Sequence, residues 1–523
     1  MMDSATVIFW MVCLSCLTGL AVTLRRVRVG GRGWLVVFLT ILSICVIGWF
    51  AKLAFLIYTG AALWVLLVLV PGLLARIQYR RVLEQQYPQA RYLSYIIRCL
   101  HPADGWIQQP RIMRALELAQ EGNVTAASEI LERYADDESL TSLTAMPIFF
   151  RITNRWAEFL DWEKKHENAL AHLPQLLQAS LRARGELGDL QGLVRLYAVK
   201  KQEIARFPSP ATRDLCRLML FAFCGKRELV AQLFNGSLSV LPSGTQKFWL
   251  ATADLAAGNE AAARQNLELL KSSADPLLKA AIHRRLEGAL SSAATSSEWA
   301  EPVIRSASLE TLHEDSFSAR PRLFSRQALV TQLLILVNVL MFALETLLGG
   351  SENLDTLYRL GGLYPAAARA GQWWRLVAAL FLHYGPLHLL LNMVGLWVLA
   401  PFVEMALGSR KFLAVYLLAG VGSMGFVMAF ASGPQGEQMT VGASGGVMSL
   451  VGVTSAIMLR GWLRAKAVSA KRRLAGMVGI VALQTTFDAL IPEVSMAGHL
   501  SGVVLGFAAA MILGDRLKSS KAL

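Results

Sequence analysis

Apolar segments of about 18 to 23 residues recur along this chain of 523 residues. A helix needs roughly 20 apolar residues to cross the hydrocarbon core of a bilayer, and such runs cross it as helices. The composition agrees with this constraint, since 54% of the residues are hydrophobic and 17% are charged. We therefore predict an all-α, polytopic membrane protein rather than a soluble domain.

Residues 1–75 are predicted to form an N-terminal membrane anchor of about three transmembrane helices. The apolar run 5–24 is followed by several arginines, whereas a cleaved signal peptide carries its positive charge before the run. The next run, 34–74, is about twice the length of one span. It is interrupted at Lys52 and at 58–60, which predicts a tight hairpin of two helices. The flanking arginines are expected to stay in the cytoplasm.

Residues 76–290 are charged and lack apolar runs of membrane-spanning length. Their predicted helices alternate with turns that recur at intervals of 31, 35, 37 and 33 residues, namely Gly122-Asn123, Thr153-Asn154, Gly188-Asp189, Gly225-Lys226 and Gly258-Asn259. These intervals are close to the period of about 34 residues of tetratricopeptide-type (TPR) helix pairs. We predict a cytoplasmic α-solenoid whose concave face binds a cytosolic protein partner. An irregular helical domain with coincidental turns is the alternative, and residues 291–326 are expected to be a linker.

Six further apolar runs occupy the C-terminal region, at about 328–348, 376–403, 411–432, 442–459, 474–491 and 495–513. Lys and Arg cluster at the joins after the second and fourth runs and in the tail 515–523, while the joins after the third and fifth runs carry neither. Positively charged loops tend to stay in the cytoplasm. The pattern therefore predicts a six-helix unit over 327–514 with both of its ends on the cytoplasmic side.

The net charge of +14 is explained by these basic joins, so no nucleic-acid partner is expected. The cysteines lie in apolar runs or in the region predicted to be cytoplasmic, which argues against disulfides; they are Cys13, Cys16, Cys45, Cys99, Cys216 and Cys224. The histidines of residues 76–326 lack metal-ligand spacing. We expect no cofactor and no metal.

Several polar residues are embedded in the C-terminal apolar runs. Ser444 begins the fourth run, and His499 lies near the outer end of the sixth. A serine hydroxyl needs a neighbouring base, and a neutral imidazole suits that role. His388 and Asn392, at i and i+4 on one helix face, can both donate to an oxyanion together with the Ser444 backbone N–H. The four residues jointly imply a peptidase that acts within the bilayer, with polar helix packing as the alternative.

Glycines provide the close helix approach that this chemistry requires. Gly502-x-x-x-Gly506 forms a smooth strip on the helix that carries His499, and Gly445 thins the helix that carries Ser444. The acidic residues nearest the outer side are Glu437, Asp488 and Glu493. None of them has an evident position beside His499, so we predict a Ser-His dyad rather than a triad.

The C-terminal motifs resemble those of the rhomboid family of intramembrane serine proteases, over residues 327–514. The motifs are Gly371-Gln372-Trp373-Trp374-Arg375-Leu376, Phe381-Leu382-His383 followed by His388-Leu389-x-x-Asn392-Met393, Gly442-Ala443-Ser444-Gly445, and His499-x-x-Gly502-x-x-x-Gly506. The resemblance implies that Ser444 and His499 are the catalytic dyad. It also implies that His388 and Asn392 form the oxyanion hole, and that substrates are transmembrane proteins cleaved near the outer face.

The resemblance further implies a structural role for Trp374 and Arg375, which would anchor the first outer loop at the lipid interface. One position departs from the family. Many members carry an aromatic residue four positions after the serine, where it packs on the catalytic imidazole, but this chain has Met448. A thioether can also pack against a ring, so we expect a changed pocket shape and retained chemistry.

Together these features predict an intramembrane serine endopeptidase in a lipid bilayer, with a bacterial inner membrane as its expected location. The alternative is a non-proteolytic escort protein that binds client helices on the same fold. A transporter is disfavoured because the sequence shows neither an inverted repeat nor a charged pathway at the membrane midplane.

Overall fold

The computed structural model describes residues 4–24, 31–135, 139–166, 173–207, 209–287, 297–318, 328–430, 438–465, 467–490 and 495–514. These residues form helices and no strand, with an isolated bridge between Leu363 and Thr440. The prediction of an all-α fold is confirmed. The chain divides into two compact units, one formed by Asp3–Thr311 and the other mainly by Leu312–Leu523.

The unit Asp3–Thr311 is a succession of helices. They are α1 (Ser4–Leu24), α2 (Arg32–Phe50), α3 (Ala54–Leu83, with a π-helical turn at Val65–Leu69), α4 (Tyr87–Leu100), α5 (Gln109–Gln120), α6 (Val124–Glu132), α7 (Leu140–Thr153), α8 (Trp156–Lys165), α9 (Pro174–Glu186), α10 (Leu190–Val199), α11 (Lys201–Ala205), α12 (Pro210–Phe223), α13 (Arg227–Asn235), α14 (Ser243–Ala256), α15 (Glu260–Lys271), α16 (Pro276–Glu287) and most of α17 (Ser297–Ser318).

Three apolar helices, α1 to α3, form the N-terminal part of this unit. The chain turns between α2 and α3 at residues 51–53, beside the predicted break at Lys52. The second predicted break, at 58–60, is wrong because these residues lie inside α3. Gly60 is needed there for packing, since a Cβ atom at this position would collide with the Cys45 sulfur of α2.

Asp104, in the loop after α4, caps the N-terminus of α2. Its Oδ1 accepts from the backbone N–H groups of Gly31 and Gly33 at 2.8 and 3.3 Å, and its Oδ2 lies 3.0 Å from His101 Nε2. Burial alone would raise the pKa of Asp104, but these hydrogen bonds outweigh it and hold the pKa below its usual range. The boundary predicted at residue 75 therefore does not separate two compact units.

Five helix pairs follow: α5/α6, α7/α8, α9/α10, α12/α13 and α14/α15. Each first helix is followed by one residue with positive φ, at intervals of 32, 34, 37 and 33 residues, namely Gly122, Asn154, Gly188, Gly225 and Gly258. The N–H of the next residue donates to the carbonyl oxygen five positions earlier in all five turns. This pattern is the Schellman motif, which ends the first helix and redirects the chain.

The second of these turns differs from its prediction by one residue. Asn154 has φ +59 and so occupies the position that glycine holds in the other four turns. Asparagine enters the left-handed region more readily than most side-chain residues, and Thr153 remains the last residue of α7. The assignment of these pairs to the TPR type stays a prediction.

The first helices of successive pairs pack on one another, and α16 then packs on both α14 and α5. Gly122 permits this closure, since a Cβ there would be 3.2 Å from the Pro276 Cβ at the start of α16. Helices α5, α7, α9, α12, α14 and α16 thus form a closed array around a continuous apolar core. This arrangement differs from the open solenoid with a concave face that the sequence period predicts.

The predicted linker 291–326 is wrong for residues 297–318, which form α17. Ala300, Ile304 and Ala307 lie on one face of this helix and belong to the apolar core of the first unit. Lys201 Nζ also lies 2.9 Å from a carboxylate oxygen of Glu310. The Ser- and Ala-rich composition indicated a linker, but these residues form an amphipathic helix. The remaining residues of the predicted linker lie outside the described residues.

The C-terminal unit is a second helical bundle. Its helices are α18 (Leu329–Leu347), α19 (Leu354–Leu360), α20 (Pro365–Arg369), α21 (Arg375–Ala378), α22 (Gly385–Leu407), α23 (Ser409–Phe430), α24 (Ser444–Ala465), α25 (Val468–Leu490) and α26 (Met496–Leu513). Six of them are long and match the six predicted runs. The second long helix begins at Gly385 instead of near residue 376. Glu437, Glu493 and the predicted tail 515–523 lie outside the described residues.

Eight helices of the described residues are long and apolar enough to cross a membrane: α1, α2, α3, α18, α22, α23, α24 and α26. Helix α25 is not among them, and it carries Lys471, Arg472, Arg473 and Asp488. The multi-pass membrane architecture is confirmed. Helix α24 is the most enclosed of the eight, since 72% of its apolar stretch is buried, compared with 44% or less in each of the others. It therefore occupies the centre of the C-terminal bundle.

Candidate active site

Ser444 is the first residue of the central helix α24. Gly442 precedes it with φ +129, a conformation open to glycine and rare for other residues, and its N–H donates to the Ala379 oxygen at 2.8 Å. Thr440 and Leu363 exchange two backbone hydrogen bonds of 2.8 and 3.0 Å. These contacts fix the turn that leads into α24, so the half-buried Ser444 side chain has a defined position at the helix start.

His388, in the first turns of α22, lies against this turn. A Cβ atom on Gly442 would be 2.7 Å from His388 Cε1, 2.9 Å from Nε2 and 3.7 Å from Ser444 Oγ. The imidazole and the hydroxyl therefore converge on the space beside Gly442, which any side chain at position 442 would fill. An imidazole N–H and a backbone N–H at a helix start are donors of the kind that stabilise an oxyanion.

Glycines bring α24 and α26 into backbone contact. A Cβ on Gly502 or on Gly506 would collide with a backbone oxygen of α24. The contact continues towards the N-terminus of α26, where the Gly498 oxygen lies 3.8 Å from the position of a Cβ on Gly445. Ser444 and His499 are the direct sequence neighbours of these last two glycines, so they lie on facing turns of the two helices.

An acidic side chain contacts His499, contrary to the prediction that none lies beside it. Asp488 Oδ2 is 2.8 Å from His499 Nδ1, and Gln484 Nε2 donates to Asp488 Oδ1 at 2.8 Å. The prediction that no acidic residue orients His499 is therefore wrong. A signal was present in the sequence, because Asp488 lies in an apolar run that was predicted to cross the membrane, and an ionisable residue in such a run is expected to be functional. Sequence spacing alone could not show that α25 brings Asp488 to His499.

The Asp488–His499 contact is shielded from solvent, with side-chain exposures of 0% and 9%. A carboxylate that accepts from Nδ1–H selects the tautomer whose Nε2 is free to accept a proton. Gln484 binds the other carboxylate oxygen and thereby fixes the Asp488 side chain from a second side. The His499 ring is thus held in a fixed orientation away from solvent.

Asn392 and His383 are buried near His388. Asn392 Nδ2 donates to the His388 backbone oxygen at 3.0 Å. The His383 ring centroid is 5.3 Å from that of His388, and its backbone N–H donates to Glu345 Oε1 at 3.1 Å. Glu345, a buried acid of α18, was not singled out from the sequence. No group of three or more His, Cys, Asp or Glu side chains among the described residues could hold a metal ion.

Arg375 cross-links the segment between α19 and α21. It is 3% exposed, and its Nη1 donates to the backbone oxygens of Tyr358 and Gly362 at 2.7 and 2.9 Å. Its guanidinium carbon lies 4.0 Å from the centroid of the Tyr358 ring. Trp374, by contrast, is 52% exposed. Arg375 therefore ties the loop together from inside, while Trp374 lies at the surface of the bundle.

Met448 lies one turn after Ser444 and is buried. The preceding Val447 packs on α22, where a Cβ on Gly395 would come within 2.7 Å of its Cγ1 atom. This turn of α24 therefore forms part of the bundle interior, and Met448 fills its space with a flexible thioether where many resembling proteins have an aromatic ring.

Comparisons with known proteins find relatives of the C-terminal unit. Residues 370–516 match the family model of the Rhomboid domain. The rhomboid protease GluP of Bacillus subtilis is 31% identical over 184 residues, which cover 35% of this chain and 34% of GluP. RHOMBOID-like protein 5 of Arabidopsis thaliana is 29% identical over 161 residues, which cover 31% of this chain and 50% of that protein.

A third relative is covered more completely. The B. subtilis protein YdcA, which carries a rhomboid protease name, is 31% identical over 144 residues; they cover 28% of this chain and 69% of YdcA. The chain spans between a third and a half of the other two relatives but more than two thirds of this one. With its domain match and its site motifs, the chain belongs to the rhomboid family.

Proposed function

We propose that this protein is an intramembrane serine endopeptidase that cleaves transmembrane helices of membrane proteins. The observation that most supports this function is the buried Asp488–His499 contact next to the turn that carries Ser444. An accessible hydroxyl, a base with an occupied Nδ1 and a nearby oxyanion donor are the groups that acyl transfer requires.

In this mechanism, Ser444 Oγ attacks the carbonyl carbon of the scissile peptide while His499 Nε2 takes its proton. Asp488 is a positioning residue, which accepts from Nδ1–H and stabilises the imidazolium that forms. The oxyanion accepts hydrogen bonds from His388 Nε2–H and the Ser444 backbone N–H. His499 then gives its proton to the leaving amine. A water molecule, deprotonated by His499, hydrolyses the acyl-enzyme and regenerates the hydroxyl.

Asn392 completes the oxyanion hole in this proposal. One N–H of its amide is engaged by the His388 oxygen at 3.0 Å. A primary amide has two N–H groups, so the second remains available for the substrate oxygen. The bond to the His388 carbonyl also stiffens the first turns of α22, which positions the His388 imidazole.

We also propose that the site opens towards the outer face of the membrane. The five helix pairs from α5 to α15, called here the helical-pair region, are proposed to lie in the cytoplasm of a bacterial cell. The basic joins of the C-terminal unit support this orientation. A substrate helix must unwind locally before its carbonyl can be attacked, so helix-breaking residues near the cut should promote cleavage.

The helical-pair region is proposed to bind a cytosolic protein partner. Removal of residues 85–315 should then reduce cleavage of natural substrates or abolish partner binding. Full retention of both properties would contradict this role.

Cleavage of a single-span reporter helix in liposomes tests the proposed activity. Wild type, Ser444→Ala and His499→Ala should be compared with Ser455→Ala. This control removes a hydroxyl from the same helix, where it donates to the Val451 backbone oxygen. We expect cleavage by wild type and Ser455→Ala, and none by the other two variants. Folded wild type that is silent across a panel of helices would favour the escort function instead.

A further inference from the structure

A cavity of about 500 Å³ lies within the unit Asp3–Thr311. It is lined by the turn into α8 (residues 154–158), the end of α9 (186–187) and the end of α16 (284–287). Because α9 and α16 both belong to the closed array, side chains that are distant in sequence meet here. The catalytic chemistry proposed for the C-terminal unit does not use any of them.

Two arginines, Arg284 and Arg285, and one carboxylate, Glu186, line the cavity away from its rim. Glu186 is bound from two sides: Arg285 Nη2 lies 2.9 Å from Oε2, and Nε of Arg182, a residue behind the lining, lies 3.2 Å from Oε1. Arg284 also lines the cavity and makes no ion pair with any described residue. Glu186 therefore faces two guanidinium groups of the lining and a third behind it, which leaves a surplus of positive charge.

The other two carboxylates that line the cavity lie at its rim. Glu158 and Glu287 have side-chain exposures of 54% and 64%. Glu158 pairs with Arg155, and a Glu287 oxygen lies 3.1 Å from His283 Nδ1. Solvent screens these exposed pairs, so they do not cancel the positive charge of the interior.

Two buried donors of the lining have no hydrogen-bond partner in the described part of the chain. They are Arg285 Nε and Trp156 Nε1, on residues that are 5% and 4% exposed. Guanidinium and indole nitrogens donate and do not accept. Leaving such donors unpaired is costly, and most buried polar groups in folded proteins have a partner. An acceptor group that reaches these two nitrogens through a small shift of their side chains would satisfy both of them.

Aromatic rings hold the guanidinium groups in fixed orientations. The central carbon of Arg285 lies 5.2 and 5.5 Å from two phenylalanine ring centroids, and that of Arg182 lies 5.4 and 5.2 Å from two tryptophan ring centroids; the rings are Phe223, Phe248, Trp156 and Trp249. Burial lowers the pKa of Arg182 to about 10; Glu186 opposes this shift, and the neighbouring Arg151 and Arg285 reinforce it.

We propose that this cavity binds a small molecule through a phosphate or carboxylate group, with Arg284, Arg285 and Trp156 as donors. An oxyanion offers acceptors only, and guanidinium groups match its geometry. Glu186 is the internal counter-ion, which orders the arginines and competes with the ligand for them. The cavity shares no residue with the proposed catalytic site, so either proposal can be refuted without affecting the other.

Calorimetric titration of the full chain in detergent with inorganic phosphate and, separately, with succinate tests the proposal. We expect saturable binding of at least one probe, and the probe that binds identifies the anionic group. Arg284→Gln should weaken binding by about tenfold to a hundredfold, as expected for loss of one charge-assisted contact. Glu186→Gln should strengthen it by removing the competitor. Arg195→Gln, at an exposed position of α10, is the matched control and should bind like wild type.

Absence of saturable binding of both probes to the wild type would overturn the proposal. Equal affinities of Arg284→Gln and Arg195→Gln would also overturn it. Because Arg284 is only half-buried, Arg284→Gln should disturb folding less than Arg285→Gln, so a loss of binding can be attributed to the site. Unchanged circular dichroism is required of each variant. Weaker binding by a folded Glu186→Gln protein would contradict the role of Glu186 as a competing counter-ion.

Discussion

Replacing Asp488 by asparagine should invert the tautomer of His499. Gln484 Nε2 donates to Asp488 Oδ1 at 2.8 Å, so an asparagine would keep its carbonyl oxygen towards Gln484. Its NH₂ group would then replace Oδ2, which lies 2.8 Å from His499 Nδ1. An imidazole that accepts at Nδ1 carries its proton on Nε2. It can no longer take the proton of Ser444.

The expected magnitude follows from the two interactions that change. A hydrogen bond to a charged group contributes about 1.5–3 kcal/mol, which corresponds to roughly a 10- to 100-fold fall in kcat. Enforcing the wrong tautomer in a Ser-His-Asp site costs on the order of 10⁴-fold. We therefore expect kcat to fall by about 10²- to 10⁴-fold. KM should stay unchanged, because Asp488 acts through His499 and not on the substrate.

Cleavage kinetics on a reporter helix in liposomes measure this effect. Thr486→Ala, on the exposed side of α25, is the control. Adding Gln484→Leu to Asp488→Asn removes the donor that orients the asparagine, so the amide can rotate and activity should recover in part. A purely structural role of Asp488 would not give this rescue. Retention of kcat within about threefold by Asp488→Asn, beside an inactive His499→Ala, would refute the tautomer argument.

Three further variants test the packing that supports the site and the fold. Gly442→Ala should lose at least about tenfold in kcat, because its Cβ would collide with His388 at a strained φ; normal kinetics would contradict the convergence described above. Arg375→Lys should lower the free energy of unfolding in detergent by about 1–3 kcal/mol through loss of paired carbonyl contacts, and unchanged stability would show that the cross-link is dispensable. Asp104→Asn should lower Tm at pH 7, because the interactions that depress the pKa of Asp104 stabilise the fold above the ordinary Asp pKa. This difference should shrink as the pH falls below about 4 and disappear once the pH is below the depressed pKa of the folded carboxyl. A difference that stays constant with pH would exclude the carboxylate as its cause.

The features that were predicted correctly depend on local patterns. Apolar length alone predicts the membrane helices, since the bilayer sets the length. Glycines before polar positions predict the helix-pair turns, because few residues adopt positive φ. Asn154 shows the limit of this logic: the turn was found, but the position that glycine holds in the other turns was assigned to Thr153, one residue too early.

The features that were missed depend on contacts between distant segments. Asp488 and His499 lie on different helices, and only the packing of α25 on α26 brings them together. The closure of α16 on α5 likewise has no local signal, although it replaces the expected concave face. Helix α17 was missed for a different reason, since its small residues resembled a linker while Ile304 and its neighbours formed a buried face.

Mass-spectrometric mapping of a fluorophosphonate adduct tests the central claim most directly, because it reports an activated serine without requiring the natural substrate. The protein in liposomes should be labelled as wild type, His499→Ala and Asp488→Asn, with equal folding verified for each. We predict one adduct, on Ser444, in the wild type, a strongly reduced adduct in Asp488→Asn and none in His499→Ala. Labelling of another serine, or equal labelling of Ser444 in wild type and His499→Ala, would contradict the claim that His499 activates Ser444.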